Sequence, residues 1–276
     1  MSHVPSDLAY QLSRGQVIPF IGAGVSMSLG LPSYASLIRE LGQHVDFDGV
    51  IFEQLGDYLT LAEFYSLRKN GLSELQSYLK LKWEKSEKEV IASPVHRAIV
   101  ELGCKLIYTT NFDNFLEKAH KAKNIRYRTL RSVNDFVKLS DDKVHIVKLH
   151  GDLRNSKTMV FTESSYFDRL NFESPLDIKL RADILGKSLL FIGYSLSDIN
   201  VRLLLYRLQK LWENGPRPEF RPKSYIFMGK PNEVLQRVLT ERGLTPVVAD
   251  TTDQTASLVD FLMGLRTQAD TLKPKS

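Results

Sequence analysis

Apolar residues in this chain fall into two rhythms. Short unbroken runs at Val17–Ile21, Leu106–Tyr108, His145–Leu149, Met159–Phe161, Ser188–Ile192, Ser224–Met228 and Pro246–Val248 have the length and composition of buried strands. Over Ser33–Leu41, Phe112–Ala122, Pro175–Leu185, Asp198–Leu211, Asn232–Arg242 and Gln254–Leu265 the apolar positions recur at helical spacing, with Ser33 placed as an N-cap. Strands and helices that alternate in this way predict an α/β fold, a parallel sheet with helices on both faces. Between Gly49 and Leu102 the strand rhythm is missing: Leu55, Leu59, Ala62, Leu72, Leu75, Tyr78 and Leu79 follow helical spacing. This predicts a helical insert at about 49–102 within a single domain spanning 1–270, followed by a frayed tail at 271–276. Pro216, Pro218 and Pro222 mark a surface loop, because strand and helix patterns resume beyond them.

Composition narrows the class. The chain has 276 residues, 43% of them apolar and 25% charged, as a soluble globular protein does. The 37 basic and 32 acidic residues are interspersed and leave a net charge of +5. That balance argues against direct nucleic-acid binding, while a mildly basic surface would gather an anionic ligand. The single cysteine, Cys104, excludes an internal disulfide and a four-cysteine zinc site within the chain. No apolar run approaches the length of a membrane span, and Met1–Arg14 has no signal-peptide core. A cytoplasmic, reducing setting without membrane contact is expected.

Four short motifs stand out, three of them directly after a strand-like run: Gly22-Ala23-Gly24-Val25-Ser26, Thr110-Asn111-Phe112-Asp113, His150-Gly151-Asp152 and Gly193-Tyr194-Ser195. Ligands of open α/β sheets gather at the carboxyl ends of strands. Glycines let a loop turn sharply and approach a phosphate, and backbone N–H groups at a helix start bind the anion. A tight strand-to-helix turn also favours glycine, and the third glycine of the dinucleotide fingerprint is replaced by Met27. Asn111 can hold a ribose hydroxyl or a water; capping of the next helix by Asn111 or Asp113 is the competing role. His150 suits proton transfer near neutral pH, against a structural histidine at a turn. Ser195 could bond phosphate or ribose at a helix start, and an ordinary capped turn would look the same.

Other groups carry less. His145 and His150 would face opposite sides of one strand, which argues against a shared metal. Gly193-Tyr194-Ser195 lacks the G-x-S-x-G frame of a serine hydrolase. The run Lys80–Glu89 reads as a solvated helix face, Tyr58, Tyr65 and Trp83 as packing of the helical module, and Cys104 as buried.

Taken together and in this order, the four motifs resemble the Sir2 (sirtuin) family, and within it the bacterial Sir2-like NAD-hydrolysing branch of anti-phage defence systems. The resemblance covers roughly Val17 to Ser197. It implies a Rossmann-like domain that takes NAD as substrate, with no metal. Carried onto this chain, it implies that Gly22, Ala23, Gly24, Val25 and Ser26 cradle the pyrophosphate. Asn111 and Asp113 would work at the nicotinamide ribose, with Thr110 beside them, and His150 would be the catalytic base. Gly193, Tyr194 and Ser195 would lie toward the adenosine. Deacylating sirtuins carry a four-cysteine zinc module between the His and Gly-Ser loops. This chain has only Cys104, before His150, so water is the expected acceptor and the expected reaction yields nicotinamide and ADP-ribose. An NAD or ADP-ribose sensor without catalysis remains an alternative. So does a protein deacylase or ADP-ribosyltransferase, which the missing zinc cysteines oppose. Because the α/β pattern runs nearly to the end of the chain, control through homo-oligomers or a regulatory defence-system partner is expected.

Overall fold

The computed structural model describes residues 4–171, 173–194, 198–215, 217 and 220–273. Strands β1 (Val17–Ile21), β2 (Leu106–Thr109), β3 (Tyr127–Leu130), β4 (Val144–Lys148), β5 (Ser188–Ile192), β6 (Ser224–Met228) and β7 (Leu244–Val248) form one sheet. Its order is β3-β4-β2-β1-β5-β6-β7 and every pairing is parallel. Every residue of β1, β2, β5 and β6 is buried, as expected for parallel strands covered on both faces. β1 pairs with β5 along its whole length but with β2 only from Phe20 onward, beyond Pro19, which has no N–H to give.

Alternation along β1 divides the core. Val17 and Ile21 face a cluster built with α1 (Ser6–Ser13), α8 (Pro94–Glu101) and α14 (Gln254–Thr271). Ile18 and Phe20 face the opposite cluster, supplied by α11 (Pro175–Asp183), α12 (Ile199–Glu213) and α13 (Glu233–Glu241). Two layers of helix therefore sandwich the sheet. Completing the chain are α2 (Ala23–Met27), α9 (Phe115–Ala122) and α10 (Glu163–Asp168).

Residues 49–102 are helical, as α4 (Gly49–Gln54), α5 (Tyr58–Arg68), α6 (Ser73–Lys82), α7 (Glu87–Ala92) and α8, but their packing is divided. α4, α5 and α6 share a separate apolar core with α3 (Tyr34–Gln43), whereas α8 lies against the sheet. Ser33 caps α3 by accepting from the Ser36 amide at 3.1 Å.

Three expectations need correction. Met159–Phe161 is not a strand; Met159 and Phe161 fill the core of the helical module, and burial there made the triplet apolar. The edge strand β3 was not anticipated, because its first two residues are only half-buried and its pattern is weak. Thr271 is the last residue of α14 rather than part of a frayed tail, and residues 274–276 lie outside the described residues.

Candidate active site

The four motifs follow four adjacent strands, β4, β2, β1 and β5, and parallel pairing puts them on one edge of the sheet. The chain leaves β1 toward β2 and later returns on the other side of β1 as β5. That reversal puts the topological switch point at the carboxyl ends of β1 and β5, where dinucleotide ligands bind in folds of this kind.

The first and fourth loops close on one another. The Gly22 amide donates to the Ile192 carbonyl at 2.9 Å, and the Gly24 amide to the Gly193 carbonyl at 2.8 Å. A Cβ on Gly22 would lie 2.3 Å from Tyr194 Cδ2, and one on Gly193 (φ +63) 2.5 Å from the Val25 nitrogen. Glycine is needed here for contact between the loops themselves. Ala23 is exposed at the start of α2, while Val25 is buried in the core. Ser195 lies outside the described residues.

The second loop is tied to the first by side chains. Ser26 Oγ donates to Asp113 Oδ2 at 2.7 Å, and Asn111 Nδ2 donates to Ser26 Oγ and to the Gly22 carbonyl, both at 3.0 Å. The Gly22 carbonyl can only accept, which fixes the Asn111 amide with its nitrogen toward the loop. The other oxygen of Asp113 accepts from the Phe115 amide at 3.0 Å, at the start of α9, as the capping role expected. Thr109 anchors the turn, donating to the Ile21 carbonyl and accepting from the Asn111 amide, each at 3.0 Å.

His150 is buried at the end of β4, and a left-handed residue, Gly151 (φ +75), follows it. A Cβ on Gly151 would lie 2.1 Å from the Thr158 carbonyl oxygen, so only glycine fits this turn. His150 Nε2 lies 3.3 Å from Asp198 Oδ2, and the Tyr166 ring meets the imidazole edge-on at 5.4 Å. Burial pulls the His150 pKa down to about 4, with Asp198 opposing and Arg169 adding to the depression. The Tyr194 hydroxyl donates to Asp198 Oδ2 at 3.2 Å, and the Thr110 side chain hydrogen-bonds the same phenol. Burial raises the Tyr194 pKa, and Asp198 adds to that rise. The structure therefore brings Ser26, Asn111 and Asp113 into one network, and Thr110, Tyr194 and His150 into a second through Asp198. Among the described residues no hydrogen bond joins His150 directly to Asn111.

Sequence reasoning missed two groups. Asp198 read only as a helix opener. Lys148 is 1% exposed and donates to the Phe112 carbonyl at 3.2 Å and to the Asp113 carbonyl. It sits 3.6 Å from Glu117, which faces Arg131 at 3.8 Å, and Arg131 pairs with Asp152. A lysine set between the apolar pair Ile146-Val147 and Leu149 was the available signal. Among the described residues no group of three or more His, Cys, Asp or Glu side chains could hold a metal ion, and no helix is long and apolar enough to cross a membrane.

Fold and loop placement together define an α/β protein of the Sir2 type. The model of the SIR2-like domain family matches residues 105–247, just over half of the chain, and the chain belongs to that family. It is 26% identical over 218 residues to NAD(+) hydrolase ThsA of Bacillus cereus (strain MSX-D12), covering 78% of this chain and 44% of that protein. Against NAD(+) hydrolase ThsA of Enterococcus faecium it is 27% identical over 217 residues, covering 76% of this chain and 43% of that protein. Defense-associated sirtuin 2 of Bacillus subtilis is 26% identical over 210 residues, covering 73% of this chain and 20% of that protein. The chain thus spans less than half the length of these curated relatives. A solved complex of a Sir2 homologue with NAD superposes with a TM-score of 0.53 at 13% identity, covering 99% of this chain and 96% of that one, which shows the shared fold.

Proposed function

We propose that this protein hydrolyses NAD to nicotinamide and ADP-ribose, and that it does so in antiviral defence. The observation that carries the reading is the joining of the glycine loop to Asn111 and Asp113 through Ser26, one strand away from a buried histidine on the same sheet edge. The names of the relatives, NAD(+) hydrolase and defense-associated sirtuin, support the substrate and the setting.

Nicotinamide leaves as a neutral group from a cationic one, so no acid is needed to expel it. The transition state is oxocarbenium-like, and the protein's work is positioning and charge stabilisation. With Nδ2 committed to Ser26 and Gly22, Asn111 offers its Oδ1 to a ribose hydroxyl or to the attacking water. Asp113 has both oxygens engaged, so it acts by holding Ser26 in place. His150, neutral at physiological pH, accepts the proton. The pyrophosphate rests near the exposed start of α2, and Gly193 and Tyr194 lie on the adenosine side.

Incubation of the purified protein with NAD should release nicotinamide, and Asn111→Ala or His150→Ala should lower turnover by about a hundredfold or more. Folded His150→Ala that works at the wild-type rate would remove His150 from this role. One observation favours a second reading, a sensor that binds NAD or ADP-ribose without cleaving it: His150 is buried and Nε2 already faces a carboxylate. Calorimetric NAD binding with no nicotinamide formed would select that reading.

A further inference from the structure

The structure assigns Asp198 as the positioning residue that sets the tautomer of His150, keeping the proton on Nε2 and leaving Nδ1 as the proton acceptor; this inference rests on His150 being the base. Asp198 is held at both ends. Oδ1 accepts from the Asn200 and Val201 amides at 2.9 and 3.2 Å, capping α12, so the carboxylate cannot rotate without uncapping the helix. Oδ2 is thereby aimed at His150 Nε2. The Tyr194 hydroxyl donates to the same oxygen, and Tyr166 also hydrogen-bonds Asp198.

A carboxylate oxygen accepts only, so the negative charge 3.3 Å from Nε2 favours the tautomer that carries its hydrogen on that nitrogen. The two side chains are 5% and 10% exposed, and water does little to weaken their attraction. No hydrogen bond ties Nδ1 to the described residues. The ring cannot easily turn over to exchange its nitrogens. Gly151 fixes the backbone, the Val160 amide donates to the His150 carbonyl at 3.0 Å, and Tyr166 packs against the ring.

In the reaction, water's oxygen bonds the anomeric carbon as the carbon–nitrogen bond breaks, and that electron pair goes to nicotinamide. The proton lost by water, directly or through a ribose hydroxyl, passes to Nδ1. The imidazolium then stands beside Asp198, which stabilises it.

Asp198→Asn separates these roles. Its Oδ1 still caps α12, but its amide nitrogen now donates toward His150 Nε2. The imidazole must then carry its proton on Nδ1, and the acceptor is lost. The equivalent exchange in a Ser–His–Asp triad lowers kcat by about 10⁴. Here nicotinamide release should fall by roughly 10²–10⁴ in kcat, with KM changed by no more than a few fold.

The test pairs that assay with nitrogen–proton correlation spectra of histidine-labelled protein, using His150→Ala to assign the signals. Wild-type His150 should be protonated at Nε2, and the Asp198→Asn protein at Nδ1. A wild-type proton on Nδ1 overturns the inference even if the variant does not fold. So does an Asp198→Asn protein with unaltered kcat and tautomer. If neither wild type nor His150→Ala releases nicotinamide, the NAD-hydrolysis reading fails separately, and the wild-type spectrum still decides the role of Asp198.

Discussion

Ser26, in the short helix after the glycine loop, gives its hydroxyl proton to the buried carboxylate of Asp113 at 2.7 Å, locking the loop after β1 to the loop after β2. This bond, the Asn111 amide that donates to Ser26 and Gly22, and the Thr109 hydroxyl that donates to the Ile21 carbonyl together set the separation of the two loops. Ser26→Ala leaves one oxygen of Asp113 buried without a donor and removes an acceptor from Asn111. An orphaned buried group costs about 1–3 kcal/mol, more where it is charged. Ser26→Ala should therefore unfold at lower urea and release nicotinamide more slowly. Because Asp113→Ala removes the same bond, the double variant should lose less stability than the sum of the singles, a non-additivity that a double-mutant cycle measures.

Gly151 and Gly30 separate backbone strain from steric exclusion. Both have positive φ, at +75 and +86. Around Gly30 a Cβ would meet nothing within 4 Å, so Gly30→Ala should cost only the left-handed penalty of about 1–2 kcal/mol. At Gly151 the Cβ would strike the Thr158 backbone, which has no side-chain freedom with which to yield. Gly151→Ala should be clearly the more destabilising in urea unfolding, and it should displace His150 enough to lower activity further than the stability loss accounts for. Equal effects of the two substitutions would show that the Thr158 contact relaxes at little cost.

Buried histidines make stability depend on acidity. Burial lowers the pKa values of His150 and His96 to about 4 from 6.5, and those of His120 and His145 in the same direction. Asp198 and Asp177 oppose the shift at His150, Arg169 reinforces it, and Asp113 opposes it at His96. Below pH 6.5 the unfolded chain binds protons that the folded one refuses, so stability falls with pH from about 6.5 down to about 4. At about 1.36 kcal/mol per unit, the His150 and His96 shifts are each worth on the order of 3 kcal/mol. Asp152, whose pKa is lowered despite burial by the hydrogen bond from Arg131, acts in a different window: its contribution is present above 3.8 and lost below that. Urea midpoints measured from pH 7.5 to 4.5 should hold level and then drop, and His96→Gln should make the drop shallower.

How much of this was legible in the sequence depended on which neighbours fixed each residue. The runs at Val17–Ile21 and Ser188–Ile192 stood out because both faces of those strands are covered. β3, at the sheet edge and half-buried, gave no such run. Gly22, Asn111 and His150 were visible because local chemistry at strand ends favours few residue types. Asp198 read only as the start of a helix, which one of its oxygens caps; the partner of the other, His150, follows a different strand, and sequence spacing carries no trace of it. Lys148 was passed over because its ligands are mainly backbone carbonyls, Phe112 and Asp113, which any sequence would supply.

Lys148 is where stability and site geometry come apart. Its buried ammonium holds the carbonyls of Phe112 and Asp113 and faces Glu117, whose Oε2 has no hydrogen-bond partner among the described residues. Lys148→Met leaves Glu117 with Arg131 at 3.8 Å as its remaining cation and frees the loop that carries Asn111 and Asp113. Breaking a buried ion pair costs about 3–5 kcal/mol, largely through the stranded charge. Adding Glu117→Gln removes that charge, so the double variant should recover part of the stability in urea unfolding. It should recover little nicotinamide release, because the two carbonyls stay unanchored and Asn111 stays misplaced. Recovery of both together would mean that Lys148 serves only to neutralise Glu117, and recovery of neither would place its whole effect in the carbonyl clamp.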